Sequence, residues 1–203
     1  METHEIAELL RPYVQLEQDQ LILTSTYINI LLKWNARINL TAILDPVEIV
    51  KRHFGESYFA AKVLGDQRSL GCVIDLGSGA GFPGIPLAIS QSEATVTLIE
   101  SNGKKVAFLG EILGSLGLKN VSIFSGRGEN FQNSVDLVVM RAVEEFEQAI
   151  DTAAGLVKKG GRLGLLIGEM QIDVAKARLP GAVWNDPVLI PESKSRVLLV
   201  GNL

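Results

Sequence analysis

The densest chemistry in this chain lies in the run Val73-Ile-Asp-Leu-Gly-Ser-Gly-Ala-Gly-Phe-Pro-Gly84. An apolar segment ends in Asp75, and Gly77, Gly79 and Gly81 follow at alternate positions. Glycines permit tight turns and let a ligand approach the main chain closely. A helix starting just beyond them offers unpaired N–H groups. Glu100 lies 25 positions after Asp75, at the end of the next apolar segment. In Rossmann-type sheets an acid at that place bonds ribose hydroxyls. Loop, helix and acid together fit a nucleotide or nucleoside-like cofactor. Asp75, Gly77, Ser78, Gly79, Gly81, Phe82, Glu100 and the adjoining Ser101 are its candidate contacts.

Two cofactor chemistries compete for such a loop. Gly79-Ala-Gly81-Phe-Pro-Gly84 satisfies the dinucleotide pattern G-x-G-x-x-G, and Tyr58 with Lys62 forms a Tyr-x-x-x-Lys pair of the kind short-chain dehydrogenases use. An NAD(P) oxidoreductase is therefore a competitor. That pair precedes the loop instead of following it, however, and some 70 residues of helical pattern come first. The order acid-x-Gly-x-Gly-x-Gly resembles the first motif of class I S-adenosylmethionine-dependent methyltransferases. Tyr58 and Lys62 are then ordinary helix residues.

The elements that position these residues follow from periodicity. Residues 1–70 read as helical. Asp19 is placed to cap a helix to about Ala36, and Asp45-Pro46-Val47-Glu48 is a second start signal, for a helix to about Leu64 with a possible break at Gly55. Strands are then expected at Cys72–Leu76, Ala94–Ile99, Val121–Phe124, Val135–Met140 and Arg162–Ile167. Helices are expected from near Pro83, over Gly103–Leu116 ended by Gly117, and over about Glu144–Val157. Lys158-Lys-Gly-Gly reads as a turn. Strands alternating with helices imply a parallel sheet covered on both faces. Ala182–Ile190 and Arg196–Val200 read as two further strands around a Pro-Glu-Ser-Lys-Ser loop. The expected architecture is a Rossmann-like α/β fold with a mostly parallel seven-stranded sheet and an antiparallel last strand. A helical extension, residues 1–68, precedes the core, residues 69–203, in one compact unit.

Composition narrows the classes. With 203 residues, 47% hydrophobic and 21% charged, the chain is ordinary globular material. No apolar run is long enough to span a bilayer. The polar N-terminal stretch reads as neither a signal nor a transit peptide. One cysteine, Cys72, excludes an internal disulfide and reads as a small buried strand residue. One cysteine and two histidines do not suggest a zinc cluster, and no metal is expected. A net charge of −4 argues against a uniformly basic nucleic-acid binder, while a local basic patch can still hold phosphates. The expected setting is the cytoplasm, with the chain acting as a monomer.

Trp34-Asn35-x-Arg37-x-Asn39-Leu40-Thr41, Arg52-His53, the block from Asp75 to Ile89, Ser101-x-Gly-Lys-Lys-Val-x-Phe-Leu109 and Arg141-Ala142 together resemble the RsmG (GidB) family. Its members methylate N7 of one guanine in bacterial 16S ribosomal RNA. The resemblance implies S-adenosylmethionine as cofactor and 16S rRNA or the small ribosomal subunit as partner. Residue by residue it implies that Gly77, Phe82, Gly128, Glu129 and Arg141 contact the cofactor. Two positions depart from the pattern: Glu56 stands where the family usually has Asp, and Ile167-Gly168 where it commonly has Lys-Gly.

N7 of guanine carries an in-plane lone pair and no proton, so its methylation needs positioning but no general base. That suits a sequence with no evident triad or dyad, and no catalytic residue is assigned. Arg141 is the candidate for contact with guanine O6 or a phosphate, its structural alternative being a pair with Glu144 or Glu145. Arg127 reads as a structural ion pair, Trp34 as core and His53 as a structural hydrogen-bonder. Lys33, Arg37, Lys51, Arg52, His53, Lys104 and Lys105 are the residues to watch for RNA. Phe82 or Trp34 could offer a surface for an unstacked base. A methyltransferase of small molecules or proteins, and an inactive RNA-binding module, are the other readings.

Overall fold

The strands of this computed structural model alternate their side chains between two faces, and that alternation organises the fold. Residues 1–67, 69–143 and 145–203 are described, without the side chain of Gln67. Eight strands are present among them: β1 (Cys72–Leu76), β2 (Thr95–Glu100), β3 (Val121–Ser125), β4 (Val135–Arg141), β5 (Val157–Gly168), β6 (Val183–Trp184), β7 (Val188–Leu189) and β8 (Arg196–Asn202). They form one sheet in the order β3-β2-β1-β4-β5-β8-β6, with β7 also on β8. β1 to β5 run parallel, and β8 is antiparallel to β5. This is the class I methyltransferase architecture expected.

Val73, Leu137, Val139, Leu166, Leu198 and Val200 point to one face. There they pack under α1 (Thr3–Leu10), α2 (Gln18–Asn35), α4 (Glu56–Gln67), α5 (Gly84–Ser90) and α6 (Gly103–Leu116). Ile74, Val138, Met140, Leu163, Leu165, Ile167, Val197 and Leu199 point to the other. α7 (Phe146–Leu156) and α8 (Ile172–Arg178) cover that side. Each face hides its apolar area, which is the main driving force for the fold.

Several local expectations are corrected. The cap of α2 is Glu17, whose N–H donates to Gln20 Oε1 at 3.0 Å, so Asp19 sits inside the first turn. Asp45 does cap the next helix, accepting from Glu48 N at 2.9 Å, with Pro46 at the first helical position. That helix does not run evenly. Pro46–Glu48 (α3) widens into a π-helical stretch, Ile49–Gly55, before α4 resumes. Such wide turns concentrate at functional sites. Lys158–Gly161 make a bulge and not a turn, because Val135 pairs with Val157 while Leu137 already pairs with Arg162. The expected strand 182–190 is split into β6 and β7 by Asn185-Asp186-Pro187, so the sheet has eight strands and not seven. α8 has no counterpart in the sequence reading, and Glu144, the expected start of α7, lies outside the described residues. Cys72, expected to be buried, is exposed at the start of β1.

Candidate active site

The carboxyl ends of β1, β2, β3 and β4 meet at one edge, and the loops beyond them enclose two cavities. The first, of about 250 Å³, is lined by Leu76, Gly77, Ile99, Glu100, Ser101 and Gly126–Glu129, and on the far side by Val143, Glu145, Gln148, Ala149 and Thr152. The second, of about 220 Å³, is lined by Leu40, Thr41, His53, Gly77–Ala80, Phe82, Lys105, Arg141 and Ala142. Gly77 belongs to both. Its φ of +72° is a conformation that side chains disfavour, and a Cβ there would stand 3.1 Å from Val143 Cγ1.

Nine of the expected contact residues line these cavities: Gly77, Ser78, Gly79, Phe82, Glu100, Ser101, Gly128, Glu129 and Arg141. Asp75 and Gly81 do not. Asp75 is fully buried behind the loop, where its Oδ2 accepts from Gly84 N at 2.9 Å and pins the start of α5. Burial pushes its carboxyl up to about 7, against the hydrogen bond from Gly84. Gly81 is packed under Tyr27, whose Oη would lie 2.5 Å from a Cβ. Tyr27 in turn donates to the carbonyl of Ala80. Both residues shape the loop from behind.

Glu100 is 7% exposed and braces the crevice. Its Oε2 accepts from Gly79 N at 2.9 Å and its Oε1 from Asn102 N at 2.7 Å. A carboxylate has about four acceptor sites, so each oxygen keeps one for a ligand hydroxyl. Glu129 Oε1 accepts from the Thr152 hydroxyl at 3.1 Å on the opposite wall. Ala142 and Glu145, beside this wall, hold φ near +50°. Strain of this kind, on the order of 1 kcal/mol or more per residue, gathers at sites where the backbone is held for a purpose. Leu76, Ile99, Val143 and Ala149 supply an apolar slot, and Glu100 a polar edge. That combination fits an adenosyl group, a flat apolar ring joined to a diol.

The second cavity is built by residues far apart in sequence. Asn35 Oδ1 accepts from both Leu40 N and Thr41 N at 2.9 Å and so fixes the loop after α2. Thr41 Oγ1 lies 2.7 Å from His53 Nε2, and His53 Nδ1 lies 2.9 Å from an Arg141 guanidinium nitrogen. The other terminal nitrogen of Arg141 donates to Arg52 O at 2.7 Å and to Glu56 Oε2 at 3.2 Å. Glu56, 1% exposed, also accepts from Arg196 Nε at 2.6 Å. The partner of Arg141 is thus Glu56 and not Glu145, and Glu144 lies outside the described residues. His53 is the expected structural hydrogen-bonder, stacked on Phe82 with ring centres 4.9 Å apart. Burial, reinforced by Arg141 and Arg52, lowers its pKa to about 3.

The remaining expectations divide. Trp34 is structural, donating to Glu111 Oε2 at 2.9 Å and meeting Phe108 edge-on. Arg127 has no ion-pair partner among the described residues and lies exposed on the rim of the first cavity. Lys51 pairs with Glu192 at 3.1 Å. Arg37, Lys104 and Lys105 line a groove with Asn39 and Asn102, and this groove shares Leu40 and Lys105 with the second cavity. Thr41, Asn35 and Arg196 were missed as site residues. The first two lie inside the Trp34–Thr41 motif, which was the available signal. Nothing local marks Arg196.

Comparison with known proteins gives the family. The family model described as rRNA small subunit methyltransferase G matches residues 20–179. The ribosomal RNA small subunit methyltransferase G of Roseiflexus castenholzii is 40% identical over 200 residues, covering 92% of this chain and 85% of its own. The protein of that name from Xylella fastidiosa strain 9a5c is 41% identical over 159 residues, 78% of this chain and 68% of its own. A SAM-dependent methyltransferase from Aquifex aeolicus shares the fold, with a TM-score of 0.60 at 18% identity over 78% of this chain and 93% of its own. The chain therefore belongs to the rRNA small subunit methyltransferase G family.

Proposed function

We propose that this protein transfers a methyl group from S-adenosylmethionine to N7 of one guanine in 16S rRNA of the small ribosomal subunit. The observation that supports this most is the pair of cavities joined at Gly77. One offers an apolar slot edged by a carboxylate, and the other a chamber of mixed polarity whose histidine is held neutral. The sulfonium, when bound, supplies an electrophilic methyl. Glu100 would hold the ribose hydroxyls on its two remaining acceptor sites. Leu76, Ile99, Val143 and Ala149 would flank the adenine. Gly77 brings the main chain close to both chambers, because it has no side chain to separate them.

N7 attacks through its own lone pair, so no proton needs to be removed. The chamber fits that demand, since His53 is held neutral and hydrogen-bonded on both nitrogens. What remains for the protein is alignment, which is worth several kcal/mol when two reactants are held in line. Arg141 is locked by Glu56, Arg52 and His53, so its part is to build the chamber wall. The groove of Arg37, Lys104 and Lys105 suits the phosphates flanking the target, in a chain whose net charge is negative. Small subunits or free rRNA lacking the modification would be incubated with protein and methyl-labelled cofactor, and the nucleosides mapped by mass. The expected product is 7-methylguanosine at one position. Label in protein, in another nucleoside, or nowhere refutes the proposal.

A further inference from the structure

The hydrogen bonds around His53 have a fixed direction. An arginine nitrogen can only donate, so His53 Nδ1 must accept from Arg141. The neutral imidazole then carries its proton on Nε2 and donates it to Thr41 Oγ1 at 2.7 Å. Ile43 N donates to the same oxygen at 3.1 Å. Both lone pairs of that oxygen are used, while its own proton has no acceptor among the described residues. Thr41 lines the second cavity beside Gly77–Ala80 and Phe82, and Asn35 holds its backbone. The chamber therefore contains a pre-aimed, neutral hydrogen-bond donor.

We propose that the Thr41 hydroxyl donates to O6 of the target base and so selects guanine over adenine. This rests on the guanine-N7 reading above. Guanine presents two acceptors, N7 and O6, on this edge, whereas adenine presents a donor amino group next to N7. A fixed donor at that place welcomes the first and repels the second. A neutral donor also suits the reaction, because methylation leaves positive charge on the purine, which a nearby cation would oppose. The cations of the chamber are otherwise placed. Arg141 is tied to Glu56, and Lys105 also faces the groove of Arg37 and Lys104. Thr41 is thus a specificity residue. A hydrogen bond to O6 adds nothing to the nucleophilicity of N7, so its loss weakens substrate binding and leaves the chemical step alone.

Thr41→Val keeps the shape but removes the hydroxyl both as a donor and as the acceptor of His53 Nε2 and Ile43 N, whereas Thr41→Ser keeps all three bonds. Both are compared with the parent on small subunits lacking the methyl group, and on subunits carrying adenine at the target position. Thr41→Val is expected to raise KM about tenfold and lower guanine-over-adenine selectivity by about the same factor. Its kcat should stay within twofold and its cofactor Kd unchanged, the latter also reporting that the variant is folded. Thr41→Ser should behave as the parent. Unaltered KM and selectivity in Thr41→Val overturn the inference, as does a loss confined to cofactor Kd, which would assign the hydroxyl to the cofactor. A parent that puts no methyl on N7 overturns the guanine reading as well. A parent that does so, with Thr41→Val unaffected, overturns this inference alone.

Discussion

The two chambers that meet at Gly77 are built in opposite ways. The crevice proposed for the cofactor is assembled from neighbouring strand tips, and its loop is held locally. Asp75 reaches Gly84, and Glu100 reaches Gly79 and Asn102. The chamber proposed for the acceptor base is held by Asn35, Thr41, His53, Glu56, Arg141 and Arg196, joined through a chain of polar contacts that crosses from the helical layer to the sheet. Open α/β sheets present a crevice outside the carboxyl ends of their strands where the strand order reverses. What enters that crevice is decided by what is packed over it. The general part of the site is thus local and the particular part long-range.

Single substitutions can pull the two halves apart. Gly77→Asp should have the largest effect. It adds a side chain at φ +72° against Val143 and a charge near Glu100, so cofactor affinity should fall more than a hundredfold in a calorimetric titration. Unchanged affinity would break the assignment of the crevice. Glu56→Ala acts on the other half. It leaves Arg141 and Arg196 without their shared carboxylate, and breaking a buried pair of this kind costs about 3 kcal/mol. The urea midpoint should fall accordingly. Methyl transfer should drop about tenfold or more while cofactor Kd stays within about threefold, and equal loss of both would erase the division between the halves.

The smallest effect lies in pH. Each half contains a buried group with a displaced pKa. His53 falls from 6.5 to about 3, so its contribution to stability is complete above pH 6.5 and is lost as pH falls toward 3. Asp75 rises from 3.8 to about 7, so its contribution is complete below pH 3.8 and is lost as pH rises toward 7. The slopes are opposite, each at most about 1.4 kcal/mol per pH unit. These two contributions should nearly cancel between pH 4 and 6.5. Asp75→Asn removes one of them, and its urea midpoint should then climb with pH across that window more steeply than the parent's. A parallel course for both proteins would sink the account of Asp75.

The same contrast explains what could be read from sequence. The glycines, Glu100 and the strand ends were legible because a βα turn writes its needs into adjacent residues. Nine of the expected contacts line one or other of the two cavities for that reason. Asp75 and Gly81 were legible as parts of the loop but line neither cavity, since spacing alone does not say whether a residue faces the open space or supports the loop from behind. The link from Glu56 to Arg196 was invisible. It depends on β8 running antiparallel to β5, which brings Arg196 beside Gly168 at the site's edge. The π-helical stretch was likewise hidden, as its backbone widening is set by packing and not by a propensity signal.

Arg196 sits on the final strand of the sheet, while every wall of the cofactor crevice is complete once Thr152 has been made. The carboxylate–arginine clasp on the opposite side therefore depends on the last strand in a way that the lining of the crevice does not.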